Sequence, residues 1–193
     1  MQSPLIAYAD ESFLEHDHRG YYVVANAIVD PQHSEEARQA MDALRGGRRI
    51  GKTHWTEMDV PQRKQASDAV AAIEGVHIIA VGTPVPPRRQ ERARARCLEQ
   101  LVPELHDYGV ETMIMEARSP ALNKRDIRTI IGARYALPKG AQFTIEHTKG
   151  AEEPLLWVAD VLAGAVRAGR EGDETYRSIL GERIYEIDVA TGC

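Results

Sequence analysis

Residues 154–166, PLLWVADVLAGAV, are apolar apart from Asp160, the only charged residue between Glu153 and Arg167. The segment predicts a helix that is apolar on nearly every face, and such a helix is buried. A charged carboxylate there costs several kcal/mol unless a cation, hydrogen-bond donors or a metal ion compensates it. Ala163 and Gly164 lie beside Asp160 on the helix and leave room for another group to approach. The segment therefore indicates either a functional carboxylate or one that caps or pairs within the core.

The composition is that of a globular protein. The chain has 193 residues, 43% of them hydrophobic, which suits one well-filled core. No apolar run reaches the ~18 residues of a membrane span and no secretory signal pattern is present, so we expect a cytoplasmic location. Cys97 and Cys193 predict neither a disulfide framework nor a zinc site. A net charge of -5 argues against a protein that coats nucleic acid, but it allows a cluster of metal-binding acids.

Strands and helices alternate in the predicted pattern. LIAYAD at 5–10 and YYVVANAIV at 21–29 are rich in β-formers and predict a hairpin with a polar connection. Asp30-Pro31 predicts a helix start, and Pro103 predicts a kink or an interruption in a later helix. Further helices are predicted over 61–75, 88–108, 121–135 and 154–166, and further strands at VHIIAVGTPV (76–85), VETMIMEAR (110–118) and AQFTIEH (141–147). This order predicts one α/β domain over residues 1–193, with a mixed five-stranded sheet flanked by helices and a helical insertion at about 31–75.

Two acids end the first predicted strand. Asp10 and Glu11 are adjacent, and because successive strand residues point to opposite faces, only one of them can face the buried helix. A strand carboxylate together with Asp160 from a later helix is typical of Mg²⁺ or Mn²⁺ sites, since hard cations prefer oxygen ligands drawn from several elements. Taken alone, the pair also fits an ordinary polar strand end.

Four segments together resemble the domain of unknown function 3800 family. They are YADES (8–12), YYVVANAIV (21–29), KTHW (52–55) and HTKGAEEPLLWVADVLAGAV (147–166). Members of that family typically read DES near the N-terminus and LLQxADxxAGA near the C-terminus. This chain departs from the pattern at Phe13, where a glycine is usual, and at Trp157, where a glutamine is usual. The family is regarded as RNase H-like and is expected to contain metal-dependent nucleases.

The resemblance implies an acidic site on an RNase H-like fold. In that topology Asp10 lies on the first strand, Glu116 at the end of the fourth strand and Asp160 on the last helix, and these three would hold Mg²⁺ or Mn²⁺. Glu11 would support them. His54 and Glu57 of the mid-chain element would approach from the insertion as ligand, proton carrier or phosphate contact, although an exposed loop is the alternative for both.

Basic residues supply candidate contacts to a nucleic acid backbone. Arg88, Arg92 and Arg96 follow one another at four-residue steps, which predicts a cationic stripe on one helix face. Interleaved Glu91 and Glu99 favour instead a solvated, self-paired face. The substrate-binding candidates are Lys52, Arg88, Arg92, His147 and Lys149. EHDH at 15–18 has metal-ligating residue types but is more typical of a solvated hairpin loop.

Three functions compete at this level. The leading hypothesis is a metal-dependent nuclease that hydrolyses phosphodiester bonds of DNA or RNA through a two-metal site. The alternatives are a non-catalytic RNase H-like binding module and a metal-dependent phosphoesterase for small phosphorylated substrates. The nuclease takes nucleic acid as its substrate, the phosphoesterase takes a small phosphate compound, and the module holds one cation or a partner. None of the three involves a membrane, and a homodimer is possible.

Overall fold

Strands and helices alternate along the computed structural model, which describes residues 4–45 and 54–193. In chain order the elements are β1 (Leu5–Leu14), β2 (Tyr21–Val29), α1 (Ser34–Arg45), α2 (Val60–Ala72), β3 (Gly75–Thr83), α3 (Gln90–Asp107), β4 (Val110–Glu116), α4 (Pro120–Ala133), β5 (Thr144–Thr148), α5 (Leu155–Arg170), α6 (Thr175–Leu180) and β6 (Ile184–Ala190). Short 3-10 helices lie at Trp55–Glu57, Arg134–Ala136 and Gly181–Arg183.

The strands form a mixed sheet in the order β5-β4-β1-β2-β3-β6. β1, β2 and β3 are antiparallel neighbours, whereas β4 is parallel to β1 and β5 is parallel to β4. This order and these directions are the RNase H-like arrangement that the sequence predicted, with α1 and α2 inserted between β2 and β3. The predicted count of five strands was wrong, because β6 adds a sixth strand parallel to β3 at the sheet edge.

Side chains of alternate strand residues build two apolar layers, one on each face of the sheet. On one face Tyr8, Val23 and Ala25 pack with α1, α2, α5 and α6. On the other face Ala7, Ala9 and Val24 pack with α3 and α4. α5 lies across β1 and β2, and in the described ranges no helix is long and apolar enough to cross a membrane.

Three local predictions were wrong. β1 continues through Leu14 where a polar connection was expected, because those residues pair with the start of β2. Asp30 does not begin a helix: its carboxylate accepts the amide of Gln32 in a turn, and α1 begins at Ser34. Of the kink or interruption expected at Pro103, the interruption was wrong, because α3 runs on to Asp107.

The room beside Asp160 on α5 is occupied by an aromatic ring. A Cβ at Gly164 would lie 2.2 Å from Cγ of Trp55, so the absence of a side chain there lets the indole reach the helix backbone. Trp55 is buried and packs edge-on against Tyr176 at a centroid distance of 5.0 Å. Gly164 therefore determines where the Trp55 ring packs on α5.

Substituting Gly164 with alanine should destabilise the protein. The new methyl group must displace the Trp55 ring or shift α5, and overpacking of this kind costs about 1–3 kcal/mol of unfolding free energy. Gly132→Ala on α4 is the matched control, since a Cβ there meets nothing within 4 Å and should stabilise by up to ~1 kcal/mol through helix propensity. Urea unfolding of both variants gives the comparison, and a Gly164→Ala protein as stable as wild type would contradict the docking.

His77 on β3 is a buried histidine with 1% of its surface exposed. Neither ring nitrogen has a hydrogen-bond partner within the described part of the chain. Burial, followed by the positive charge of Arg183, lowers the pKa of the imidazole to about 4. The ring therefore stays neutral in the folded protein at pH values where an exposed histidine is protonated.

Acidification should destabilise the fold through His77. The unfolded chain binds a proton on this ring near the ordinary pKa of 6.5 and the folded chain only near 4, so the stabilising contribution is present above about pH 6.5 and is lost as the pH falls toward 4. By about pH 5 the loss is roughly 2 kcal/mol of unfolding free energy. Urea unfolding of wild type and His77→Leu at neutral and acidic pH measures the difference. The variant should lose less stability on acidification, and equal losses would exclude His77 as the cause.

Candidate functional site

Asp10 and Glu116 lie side by side on two neighbouring parallel strands, Asp10 in the middle of β1 and Glu116 at the end of β4. β1 and β4 pair in register as far as Ala9 and Met115, and the two acids follow one residue later. Neighbouring strands lie about 4.8 Å apart. Both acids share a sheet face, because Asp10 alternates in phase with Tyr8 and Glu116 with Ile114, which pack into the layer beneath α5. Asp10 is 6% exposed, and its Oδ1 accepts the amide of Glu11 at 2.8 Å.

Asp160 lies on α5, the helix that covers the sheet face of Asp10 and Glu116. Its position on α5 is half-buried, although the residues on either side of it are fully buried. Asp160 Oδ2 accepts the backbone amide of Trp55 at 2.7 Å. The carboxylate that the sequence singled out as needing compensation therefore receives it partly from the mid-chain segment.

The three carboxylates are a suitable donor set for a hard divalent cation, which prefers oxygen ligands. Asp10 and Glu116 lie on the sheet face that α5 covers, and Asp160 lies on α5. Among residues 4–45 and 54–193, no group of three or more His, Cys, Asp or Glu residues is arranged to hold a metal ion. The donor chemistry thus fits Mg²⁺ or Mn²⁺, while a preformed cage is not part of the described structure.

Glu11 points to the opposite face from Asp160, as the alternation along β1 requires. Its Oε2 lies 2.7 Å from Nη1 of Arg94 on α3. Arg94 is 1% exposed and also donates to both carboxylate oxygens of Asp126, each at 2.9 Å. The expected support of Asp10 by Glu11 is therefore not a direct contact: Glu11 belongs to a buried ionic network between the sheet, α3 and α4.

His147 belongs to the same network. Its Nε2 lies 3.2 Å from Asp126 Oδ2. His147 lies in β5 and pairs with Met115 of β4, so its side chain is on the sheet face away from Asp10. Arg118 completes the network, since its Nη2 donates to Asp126 at 2.9 Å and its Nη1 to Glu91 at 2.6 Å. His147 was predicted at the rim of the acidic site, and the structure places it elsewhere.

The cations of this network determine the charge of Asp126. Burial by itself would raise the pKa of the Asp126 carboxyl, but hydrogen bonds from His147 and Arg94 and the charges of Arg94 and Arg118 outweigh it and hold the pKa well below its usual range. Asp126 is therefore ionised at neutral pH and serves as the counter-ion of two arginines. Sequence analysis did not identify Arg94 or Asp126, because only the fold brings residues of α3, α4, β1 and β5 together.

The mid-chain candidates His54 and Glu57 flank Trp55, whose amide donates to Asp160. His54 precedes the residue whose amide binds Asp160, and it is half-buried. Glu57 ends the short 3-10 helix and is exposed. Lys52, a third candidate from this element, lies outside the described residues.

The predicted cationic stripe on α3 is not formed as expected. α3 begins at Gln90, and Arg88 precedes it with a positive φ of 65°. Arg92 Nε donates to the carbonyl of Thr191 at 3.4 Å, and Arg96 pairs with Glu99 at 2.5 Å. These contacts match the self-paired alternative more closely than a free phosphate-binding row.

The remaining candidates lie on loops. Lys149, just after β5, has 76% of its side chain exposed and pairs with Glu152 at 3.2 Å. In the β1–β2 connection, Nδ1 of His16 accepts the amides of His18 and Arg19 at 3.2 and 3.3 Å. The EHDH segment is therefore an internally bonded turn, as its solvated-loop interpretation predicted.

Comparisons with known proteins find similarity to solved structures alone. No family model matches the chain, and no curated protein matches it. Among solved structures, RNase H1 from the halophilic archaeon Halobacterium salinarum NRC-1 is similar at 13% sequence identity, with 78% of this chain and 89% of that chain covered and a TM-score of 0.31. A TM-score this low superposes the chains only loosely, so the RNase H-like fold is assigned from the strand order and directions of this chain.

Removing the Asp160 carboxylate should weaken the fold as well as the site. Asp160→Ala leaves the Trp55 amide without its acceptor, which should lower the unfolding free energy by about 1–3 kcal/mol. Asp160→Asn keeps an acceptor oxygen and should lose less. Asp68→Ala, which breaks an exposed ion pair with Lys64 on α2, is the control and should cost below ~1 kcal/mol. Equal stability of the two Asp160 variants in urea would contradict the role of the bond.

Proposed function

We propose that this chain is a divalent-metal-dependent nuclease of the domain of unknown function 3800 family, hydrolysing phosphodiester bonds of DNA or RNA. The observation that carries the proposal is the placement of Asp10 and Glu116 side by side on the sheet face covered by the Asp160 helix. Hydrolysis of a phosphodiester places negative charge on the oxygens around the reacting phosphorus, so carboxylates alone would oppose it and a cation is required. A site of this composition therefore makes chemical sense only with bound metal.

The residues that would hold Mg²⁺ or Mn²⁺ are Asp10, Glu116 and Asp160. Bound metal at such a site supplies an activated water and stabilises the charge on the leaving oxygen. The chain itself positions the ligands. β1 and β4 fix the two strand carboxylates in register, and the bond from Trp55 to Asp160 holds the mid-chain segment against α5.

His54 is the residue best placed to act on a proton or phosphate near these acids. It lies one residue before Trp55, whose amide is bound by Asp160, and its half-buried ring is set at the start of a 3-10 helix. Imidazole side chains serve as proton carriers and phosphate contacts in many hydrolytic sites. Glu57 is exposed at the far end of the same turn and suits a peripheral contact.

Nucleic acid is the proposed partner, and the cytoplasm the proposed location. Lys149 lies exposed where β5 ends, next to the end of β4 that carries Glu116. With Lys52 of the mid-chain element, it would contact the phosphate backbone close to the cleaved bond.

A non-catalytic RNase H-like module is the second candidate. It is favoured by the engagement of Asp160 with the Trp55 amide and by the lack, within the described ranges, of a three-residue group arranged for metal. In such a module the same carboxylate would serve to dock the insertion on α5. The two candidates differ in whether metal binds through the acidic site.

Cleavage in the presence of Mn²⁺ tests the proposal. Wild type should cut single-stranded, duplex or hybrid oligonucleotides, while Asp10→Asn and Glu116→Gln should each lower the rate on the order of a hundredfold or more, since metal stabilisation is worth several kcal/mol. The control is Glu111→Gln, the same chemical change on an exposed residue of the same strand, which should retain wild-type activity.

Calorimetric titration with Mn²⁺ separates the two candidates. The nuclease requires binding that disappears in Asp10→Asn, whereas the module predicts a folded protein without such binding. Cleavage that survives both Asp10→Asn and Glu116→Gln would rule out this site as the catalytic one, and hydrolysis of mononucleotides alone would redirect the assignment to a phosphoesterase.

A further inference from the structure

The outer side of α4 carries exposed apolar and aromatic residues. Ile127, Ile131 and Tyr135 recur at four-residue steps, which places them along one stripe of the helix and its 3-10 extension. They are 39%, 48% and 89% exposed, whereas Ile130 is 1% exposed and faces the core. Ile127, Ile130 and Ile131 are the isoleucines of this helix. The structure buries only one of the three.

Cations flank this stripe in an otherwise acidic protein. Between residues 117 and 140 the basic residues are Arg118, Lys124, Arg125, Arg128, Arg134 and Lys139, and the single acid is Asp126. Asp126 is 2% exposed and is bound by Arg94 and Arg118. The exposed side of α4 is therefore purely positive, although the chain as a whole has a net charge of -5.

Most of these cations have no carboxylate partner. Within the described ranges, Lys124, Arg128 and Arg134 make no ion pair, and Arg125 lies no closer than 4.0 Å to Glu91. Exposed arginines on the opposite side of the sheet are paired: Arg167 with Glu171 at 3.1 Å and Arg170 with Asp188 at 3.1 Å. Unpaired like charges on successive turns repel one another, and a polyanionic ligand would remove that repulsion.

We propose that the basic face of α4, comprising Lys124, Ile127, Arg128, Ile131, Arg134 and Tyr135, binds single-stranded nucleic acid. The inference rests on the proposed function in taking nucleic acid as the ligand, and it assigns a binding surface that the acidic site does not include. Single-stranded binding surfaces combine cations that follow the phosphates with aromatic rings on which unstacked bases lie. Tyr135, 89% exposed beside Arg134, provides such a ring.

The position of α4 connects this face to the acidic site. α4 begins at Pro120, four residues after Glu116, and its 14 residues extend over about 21 Å. A strand lying along α4 from Tyr135 toward Lys124 would therefore be directed toward the end of β4 that carries Glu116, from the sheet face opposite to α5. The face supplies the extended phosphate contacts that α3, with its engaged arginines, does not.

An acidic membrane surface fits this face less well than nucleic acid does. Helices that lie in a membrane interface turn a broad apolar side to the lipid, whereas the broad apolar side of α4 is turned inward through Ile130 and Ala133. Only Ile127 and Ile131 of its aliphatic residues are large and exposed. Their narrow stripe between cations suits contact with bases and sugars.

Fluorescence anisotropy with a labelled oligothymidylate, in EDTA to prevent cleavage, tests the proposal. Wild type should bind, and Arg128→Gln/Arg134→Gln should bind on the order of tenfold more weakly, with the salt slope of log K reduced by about 1.4 for two lost phosphate contacts. Tyr135→Ala should also lose about tenfold but keep the wild-type salt slope, because stacking involves no counterion release. The controls are Lys64→Gln/Arg170→Gln, the same charge change on other exposed residues, and Gly132→Ala on α4; both should bind as wild type does.

Each outcome bears on the binding face separately from the acidic site. Oligonucleotide binding that is absent in wild type, or equal in the α4 variants and the controls, overturns the proposal. The proposal is also overturned if the α4 variants lose binding to phosphatidylserine vesicles while their oligonucleotide binding is unchanged. Asp10→Asn should bind the oligonucleotide normally. If the α4 variants lose oligonucleotide binding and the wild type never cleaves, the binding face is supported and the nuclease is refuted. If the wild type cleaves and the α4 variants cleave with an unchanged KM, the nuclease is supported and the binding face is refuted.

Discussion

The alternation of side chains along β1 separates the two chemical regions of this protein. Asp10 faces α5 and the acidic site, while Glu11, its neighbour in sequence, faces α3 and pairs with Arg94 at 2.7 Å. A one-residue shift in the pairing of β1 with β2 would exchange these faces and bury each acid in the wrong layer. The ionic network around Arg94 therefore helps to define the register of the strand that carries Asp10. A buried guanidinium with three polar partners opposes such a shift strongly, since leaving it unpaired costs several kcal/mol.

Much of this architecture was predictable from local patterns, and the rest depended on contacts between distant residues. The strand-rich hairpin and the apolar α5 are visible because periodicity and composition are local properties. β6 was missed although IYEIDVA at 184–190 alternates in a strand-like way, since nothing local indicates which sheet edge it joins. Glu11 and His147 looked like site residues from their position at strand ends. Their partners, Arg94 for Glu11 and Asp126 for His147, lie far from them in sequence and became apparent only once the sheet faces were known.

Asp160 shows that the structural and functional explanations of a buried acid need not exclude each other. The sequence required compensation for its charge, and the Trp55 amide provides part of it at 2.7 Å. The same bond sets His54, the residue before Trp55, close to α5. The docking of Trp55 against Gly164 reinforces this placement. A carboxylate that organises its own surroundings in this way adds rigidity to the region around it.

The buried network also explains the charge asymmetry of α4. Asp126 is turned inward, where it neutralises Arg94 and Arg118, so the acid of this helix is used in the core and the cations remain outside. Had Asp126 faced the solvent, its negative charge would have weakened the positive field of the cations on the outer side of α4. The buried network around Arg94 and the exposed basic face are thus both consequences of the orientation of α4. That orientation is fixed by Ile130 and Ala133, which pack on the same side as Asp126.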